Sequence, residues 1–185
     1  MSLIEILKKI QMKMKPGIVT VITLALVLSA CSASSSTTET DKKESKKEKS
    51  AAEFEQTAAL IESSSYQFAV RSATPSGGKT IQITSLYTMK SMDGTFEAHL
   101  PYFGRMYSGG YGDGGSVEFN GEPEKLQVTR KDSKNKISVA FSIQSDSERF
   151  EINLELGPSG YGTLVLSSPK RSPVSYYGLA SALEN

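Results

Sequence analysis

The chain has 185 residues, with 21 Lys and Arg against 20 Asp and Glu, so its formal charge is only +1. Its one cysteine, Cys31, excludes a disulfide within the chain. Its one histidine, His99, excludes a multi-histidine metal centre.

The first thirty residues read as an address rather than as structure. Lys8, Lys9, Lys13 and Lys15 form a positive segment, Gly17 to Ala30 is apolar, and Ser29 and Ala30 are the small residues that precede a signal-peptide cut. The apolar stretch is short for a transmembrane helix. Met12-Lys13-Met14-Lys15 resembles an ordinary signal start, which would make Met1 to Gln11 an upstream extension. Leu28-Ser29-Ala30-Cys31 resembles a bacterial lipobox. That resemblance implies a diacylglyceryl group on the Cys31 thiol, cleavage before it and acylation of the new amino terminus. Two or more chains give stable anchoring, at about 0.8 kcal/mol per buried CH₂. The plainer alternative is an ordinary signal peptide with an incidental cysteine.

From Ser32 to Ser50 the composition turns to Ser, Thr, Lys and Glu without one aromatic or large aliphatic residue. Such a stretch cannot bury enough surface to order itself, so 31–50 is expected to be a lipidated cysteine and a disordered tether. A flexible chain of that length reaches about 25 Å. Five lysines stand against four acids there, which fits a solvated spacer better than a polybasic lipid-binding patch.

Residues 51–185 have the size of one domain with its own core. Twelve Lys and Arg against fifteen Asp and Glu leave it near −3, without the electrostatic footprint that nucleic acid requires. Phe54, Ala58 and Ile61 are spaced i, i+4, i+7, which predicts one amphipathic helix over Ala51 to Ser64. After Ser65 the period becomes two. Runs at Tyr66-Phe68-Val70, Ile81-Ile83, Phe96-Ala98-Leu100, Val117-Phe119, Leu126-Val128, Ile137 to Ile143 and Phe150 to Leu156 follow this period, and Leu164-Val165-Leu166 is a further apolar run. Turn-forming clusters such as Pro75 to Gly78, Asp93-Gly94, Asn120-Gly121 and Gly157 to Gly160 separate them. The expectation is a mainly β (α+β) domain: one N-terminal helix and an antiparallel sheet of about eight or nine strands, as a curved sheet, sandwich or barrel.

One segment breaks this rhythm. Leu100-Pro101-Tyr102-Phe103-Gly104-Arg105 runs into Tyr107 and a glycine-rich stretch to Gly115, followed by Gly114-Gly115-Ser116-Val117-Glu118-Phe119-Asn120-Gly121. With the closing Ser-Tyr-Tyr-Gly element within Pro173 to Gly178, these motifs resemble an uncharacterised family of Bacteroidota-type lipoproteins, domain of unknown function 4251, over about Phe54 to Leu179. The resemblance implies a lipobox-anchored β-rich domain and supplies no activity, substrate or catalytic residue.

Chemistry-bearing motifs fail on context. Gly110, Gly112 and Gly115 spell G-x-G-x-x-G, but Ser116 to Phe119 reads as a strand where a dinucleotide fold needs a helix, and no Lys-Ser or Lys-Thr follows for a P-loop. A glycine-rich hairpin or bulged edge explains the same residues. His99 shares a face with Thr95 and Glu97, opposite Phe96, Ala98 and Leu100. No G-x-S-x-G elbow accompanies it. Asp93, Glu97, Asp113, Glu118 and Glu151 are available as a glycosidase pair, yet none sits in a marking context; nor does Asp113 have the companions of a calcium loop. No metal or cofactor is expected.

Adjacent aromatics in a strand point to opposite sides, so some of Tyr102, Phe103, Tyr107, Tyr111, Tyr176 and Tyr177 must face outward, with Arg105 among them. These seven residues are the candidate contacts for a ligand or partner, set against the alternative that they pack the ends of the sheet. The expected protein is a non-catalytic, lipid-anchored cell-envelope lipoprotein of the outer membrane whose β-domain binds an unidentified envelope ligand or protein. The alternatives are a structural accessory of an envelope complex and an enzyme acting on glycan or peptidoglycan. An aromatic-lined pocket inside the sheet would favour ligand binding; a filled core with exposed apolar groups would favour an interaction module.

Overall fold

The computed structural model describes residues 38–107, 115–145 and 148–183. Residues 45–185 form one compact unit, which holds the whole sheet and all but the first turns of the helix. The expected signal segment and Cys31 lie outside the described residues. Among the described residues no helix is long and apolar enough to cross a membrane.

Helix α1 (Thr38–Glu62) begins well before Ala51. Its Lys- and Glu-rich part, exposed from Lys43 to Lys49, is helical without burying anything. Lys and Glu are good helix formers, and opposite charges one turn apart, such as Lys49 and Glu53 at 3.9 Å, support a solvated helix. Beyond Ala51, Phe54, Ala58 and Ile61 are buried as their spacing predicts. The helix stops where Ser63 Oγ donates to the Leu60 carbonyl (2.7 Å) and Ser64 turns left-handed at φ 56°.

Ten strands follow: β1 (Tyr66–Pro75), β2 (Ile81–Gln82), β3 (Thr88–Met92), β4 (Thr95–Pro101), β5 (Ser116–Gly121), β6 (Glu124–Lys131), β7 (Lys136–Gln144), β8 (Arg149–Leu156), β9 (Tyr161–Ser168) and β10 (Arg171–Ala182). They form one sheet in the order β5-β4-β3-β1-β10-β9-β8-β7-β6, with β2 added on β1. Every pairing is antiparallel. The fold is therefore mainly β, one helix with a curled, half-barrel sheet.

Curling is visible in the core. Phe96 on β4 and Phe141 on β7, near opposite ends of the strand order, have ring centroids 4.2 Å apart; Phe119 on β5 and Phe150 on β8 are 6.0 Å apart. Ser145 Oγ, just beyond β7, donates to the Glu118 carbonyl on β5 (3.2 Å). Gly162 and Gly178 stand opposite each other on β9 and β10, and a Cβ on either would overlap a neighbouring strand's backbone carbonyl, that of Glu155 or Ala69. Glycine here lets four neighbouring strands, β8, β9, β10 and β1, approach closely while Phe68 and Leu156 fill the interior.

The concave side is filled. Phe68, Met89, Leu100, Leu154, Leu164 and Tyr176 are fully buried in one cluster with the inward face of the helix. A small recess beside Tyr66 measures about 30 Å³, room for a water and not for an organic ligand. Ser91 lies across from Tyr66 in the β1–β3 register, but its hydroxyl donates to the Ser64 carbonyl (3.0 Å), leaving the Tyr66 hydroxyl unpaired. Burial pushes the ionisation of Tyr66 above that of a free phenol.

Strand β8 tests the period-two reading directly. Phe150, Ile152, Leu154 and Leu156 face the core, and Glu151, Asn153 and Glu155 face out. Ile152→Ala is expected to cost about 2–5 kcal/mol in denaturant unfolding. Asn153→Ala should stay within about 0.5 kcal/mol. Equal losses would put the strand's faces the other way round.

Candidate functional site: the Tyr102–Tyr107 corner

At the end of β4 the chain leaves the sheet and turns back beside the start of β10. Tyr102 anchors the turn. Its buried hydroxyl lies 2.8 Å from the Arg105 carbonyl and 3.0 Å from the Ser172 carbonyl, sharing its proton between them. Arg105 N donates to Ser172 Oγ (2.8 Å), Ser172 N to the Arg105 carbonyl (2.8 Å), and Tyr107 N to the Lys170 carbonyl (2.8 Å). Met106 forms a β-bridge with Arg171. Gly104 is required because a Cβ there would overlap both the Tyr102 and the Ser172 hydroxyls. Residues 105–107 are thus held like a short strand, although no regular strand covers them.

A buried ion pair supports this turn. Glu148 and Arg171 have side chains only 6% and 12% exposed, with Arg171 Nε 2.8 Å from Glu148 Oε2. The other Glu148 oxygen accepts from Ser168, and Arg171 Nη1 donates to the Ser116 carbonyl (3.1 Å). The guanidinium lies over the Tyr102 ring at 5.0 Å and near the Phe150 ring at 5.8 Å. Every charge here has a partner, the condition for a buried pair to be tolerated. Tyr176 completes the layer by donating to the Pro101 carbonyl (2.9 Å), and burial raises its ionisation so that it remains a neutral donor.

The seven candidate contact residues separate into groups. Tyr102 and Tyr176 are buried, their hydroxyls bonded within the chain, so they build the corner and offer a partner nothing. Phe103, Arg105 and Tyr107 face solvent, with Phe103 42% and Tyr107 66% exposed, and Met106 joins them. Tyr177 is exposed on the outer face of β10, where its ring stacks on Tyr161 at 5.9 Å and Arg71 lies over Tyr161 at 5.5 Å. Tyr111, the glycines at 109, 110, 112 and 114, and Asp113 lie outside the described residues. The lip Phe103-Arg105-Met106-Tyr107 is therefore an apolar and cationic edge on a backbone fixed by five hydrogen bonds and a buried charge pair. Sequence reasoning did not find Glu148, Arg171 or Met106. Glu148 sits in a turn and Arg171 at a strand end, where no periodicity marks a buried charge.

The remaining acids form no comparable centre. His99 Nδ1 lies 2.9 Å from Glu118 Oε1, and the His99 ring stacks on Tyr87 at 5.1 Å. Ser116 Oγ also donates to Glu118 (3.2 Å), and both members of the pair are more than half exposed. Arg149 pairs with Glu124 (2.9 Å) and Glu151 (3.4 Å). Asp93 occupies the β3–β4 turn at φ 51°. Among the described residues no group of three or more His, Cys, Asp or Glu side chains is placed to hold a metal.

The corner's buried and exposed aromatics should respond differently to substitution. Tyr102→Phe removes the buried donor that the Arg105 and Ser172 carbonyls share, leaving Arg105 only its bond from Ser172 N, at an expected cost of about 1–3 kcal/mol. Tyr107→Ala should change stability by no more than about 0.5 kcal/mol. Thermal unfolding of both variants checks this, and a large loss for Tyr107→Ala would make the lip part of the core.

Comparison with known proteins agrees with this architecture. No curated protein matches the chain. A crystal structure of a DUF4251 family protein from Bacteroides eggerthii superposes with a TM-score of 0.57 at 17% identity, covering 71% of this chain and 89% of that one, a likeness of fold. The family profile described as a domain of unknown function, DUF4251, matches residues 48–180, from the last turns of α1 to near the end of β10. With well over half of its length matched, the chain belongs to the DUF4251 family.

Proposed function

We propose that this chain is a non-catalytic lipoprotein of the bacterial cell envelope, held to the outer membrane by lipid on Cys31, whose β-domain is an interaction module. The observation that carries the reading is the contrast between the two sides of the corner. The concave face of the sheet is packed solid, which disfavours an enclosed ligand, while Phe103, Met106 and Tyr107 are held in solvent on a clamped backbone. Apolar side chains displayed in one fixed conformation lose little entropy on binding, the arrangement that suits a protein partner. Arg105 adds a charged donor at the rim.

Two experiments test the reading. A photocrosslinker at Tyr107 in cells should capture one protein of the envelope, and Phe103→Ala with Tyr107→Ala should weaken co-purification of that protein at least tenfold while the melting temperature stays unchanged. Capture that survives the double variant would remove the lip as the contact. For the anchor, the intact mass of membrane-extracted protein should show a mature chain beginning at Cys31 and carrying acyl groups. Cys31→Ser should leave an uncut precursor or a soluble protein. A mature chain that starts elsewhere without acyl mass would end the lipoprotein reading.

A further inference from the structure

The outer face of the sheet, which the proposed function does not use, carries a second feature. Antiparallel register places Gln127 on β6, Ala140 on β7, Asn153 on β8, Val165 on β9 and Ser175 on β10 in one transverse row. The adjacent row brings together Ser142, Glu151 and Ser167. Across these rows lies an open trough of about 530 Å³, within the range of ligand-binding clefts. Lys125, in left-handed backbone at the bulge between Glu124 and Gln127, lines its β6 side.

The chemistry of the trough narrows the ligand. Among the described residues the side-chain amides of Gln127 and Asn153 have no hydrogen-bond partner within the chain, so both offer a donor and an acceptor to what enters. Lys125 and the Glu151 carboxylate oppose each other in sign, and Arg149 is already occupied by Glu124, Glu151 and Ser142, so the trough does not select a phosphate or other strong anion. Its walls mix apolar surface at Ala140 and Val165 with these polar side chains, which a wholly apolar ligand would leave without partners. Beyond the Val165 end, on the same face and two residues along β10 from Ser175, stands Tyr177, its ring fixed by stacking on Tyr161 and half exposed.

We propose that this trough is a saccharide-binding site, taking a short stretch of an oligosaccharide chain. Planar amide and carboxylate groups pair with adjacent hydroxyls, Ala140 leaves the floor open for a ring, and the Tyr177 face receives the C–H side of a neighbouring sugar. The site is separate from the lip, so the two readings fail separately.

The test uses the full chain on an immobilised panel of linear oligosaccharides of neutral hexoses and of N-acetylhexosamines, followed by titration calorimetry with any that bind. At least one class should bind, with affinity reduced tenfold or more by Asn153→Ala and by Gln127→Ala, and abolished by Ala140→Tyr, which fills the floor. Tyr107→Ala should leave it unchanged. Because Gln127 and Asn153 are exposed, their variants remain informative if Ala140→Tyr fails to fold. Absence of binding across the panel, or binding that persists in Asn153→Ala and Gln127→Ala, would overturn the proposal.

Discussion

The structure depends on the pairing of β10 with β1 on one side and β9 on the other. Without it the sheet is two fragments, β5-β4-β3-β1 and β9-β8-β7-β6, each with a bare hydrophobic face. Joining them brings Phe96 against Phe141 and Phe119 against Phe150, and so turns two flat surfaces into one interior. The pairing links residues more than a hundred positions apart, such as Tyr66 and Ala182. Loop closure on that scale must be completed before most of the burial rewards it, which makes this a fold of high contact order.

The same strand explains why the corner is rigid. Its first residues, Arg171 and Ser172, hold Tyr102, Arg105 and Met106 from one side, and Tyr176 a few residues later holds Pro101. Polar side chains that would normally be solvated are spent inside to fix the backbone, and apolar ones are left outside. That inversion is expensive in stability unless the exposed groups have a use. It separates the corner from the His99–Glu118 pair, which lies in water and gains little from its contact.

How much could be read from the sequence depended on how strongly each element used contrast. β8 alternates Phe, Ile, Leu and Leu with Glu, Asn and Glu, so its faces were legible from the residues alone. β10, the longest strand, was not picked out by its pattern, because its inward residues Ser172, Gly178 and Ala180 are small or polar and Pro173 interrupts it. β3 escaped for a related reason: its buried pair is Met89 and Ser91, with no run of β-branched residues. The helix core at Phe54, Ala58 and Ile61 was evident from spacing, while its extension to Thr38 was not, since charge pairing rather than burial sustains it. In the corner, period two established that Tyr176 and Tyr177 point apart. It could not say that Tyr102 turns in, because that is decided by a hydroxyl meeting carbonyls of Arg105 and, seventy residues later, Ser172.

Strand β6 ends the sheet with all eight residues exposed, including Leu126 and Val128 at nearly half their surface. A bare edge with apolar side chains invites the edge of another molecule to dock onto it and extend the sheet from protein to protein. Several features oppose that here. Lys125 and Lys131 bracket the strand, a bulge at Lys125 distorts its first part, and Arg130 is drawn toward the helix by Glu55, Glu62 and the Phe54 ring. Two such edges brought together would set lysine near lysine across a twisted ladder. The charges at this border act as a guard against edge-to-edge pairing, the more useful the higher the local concentration of an open-sided barrel.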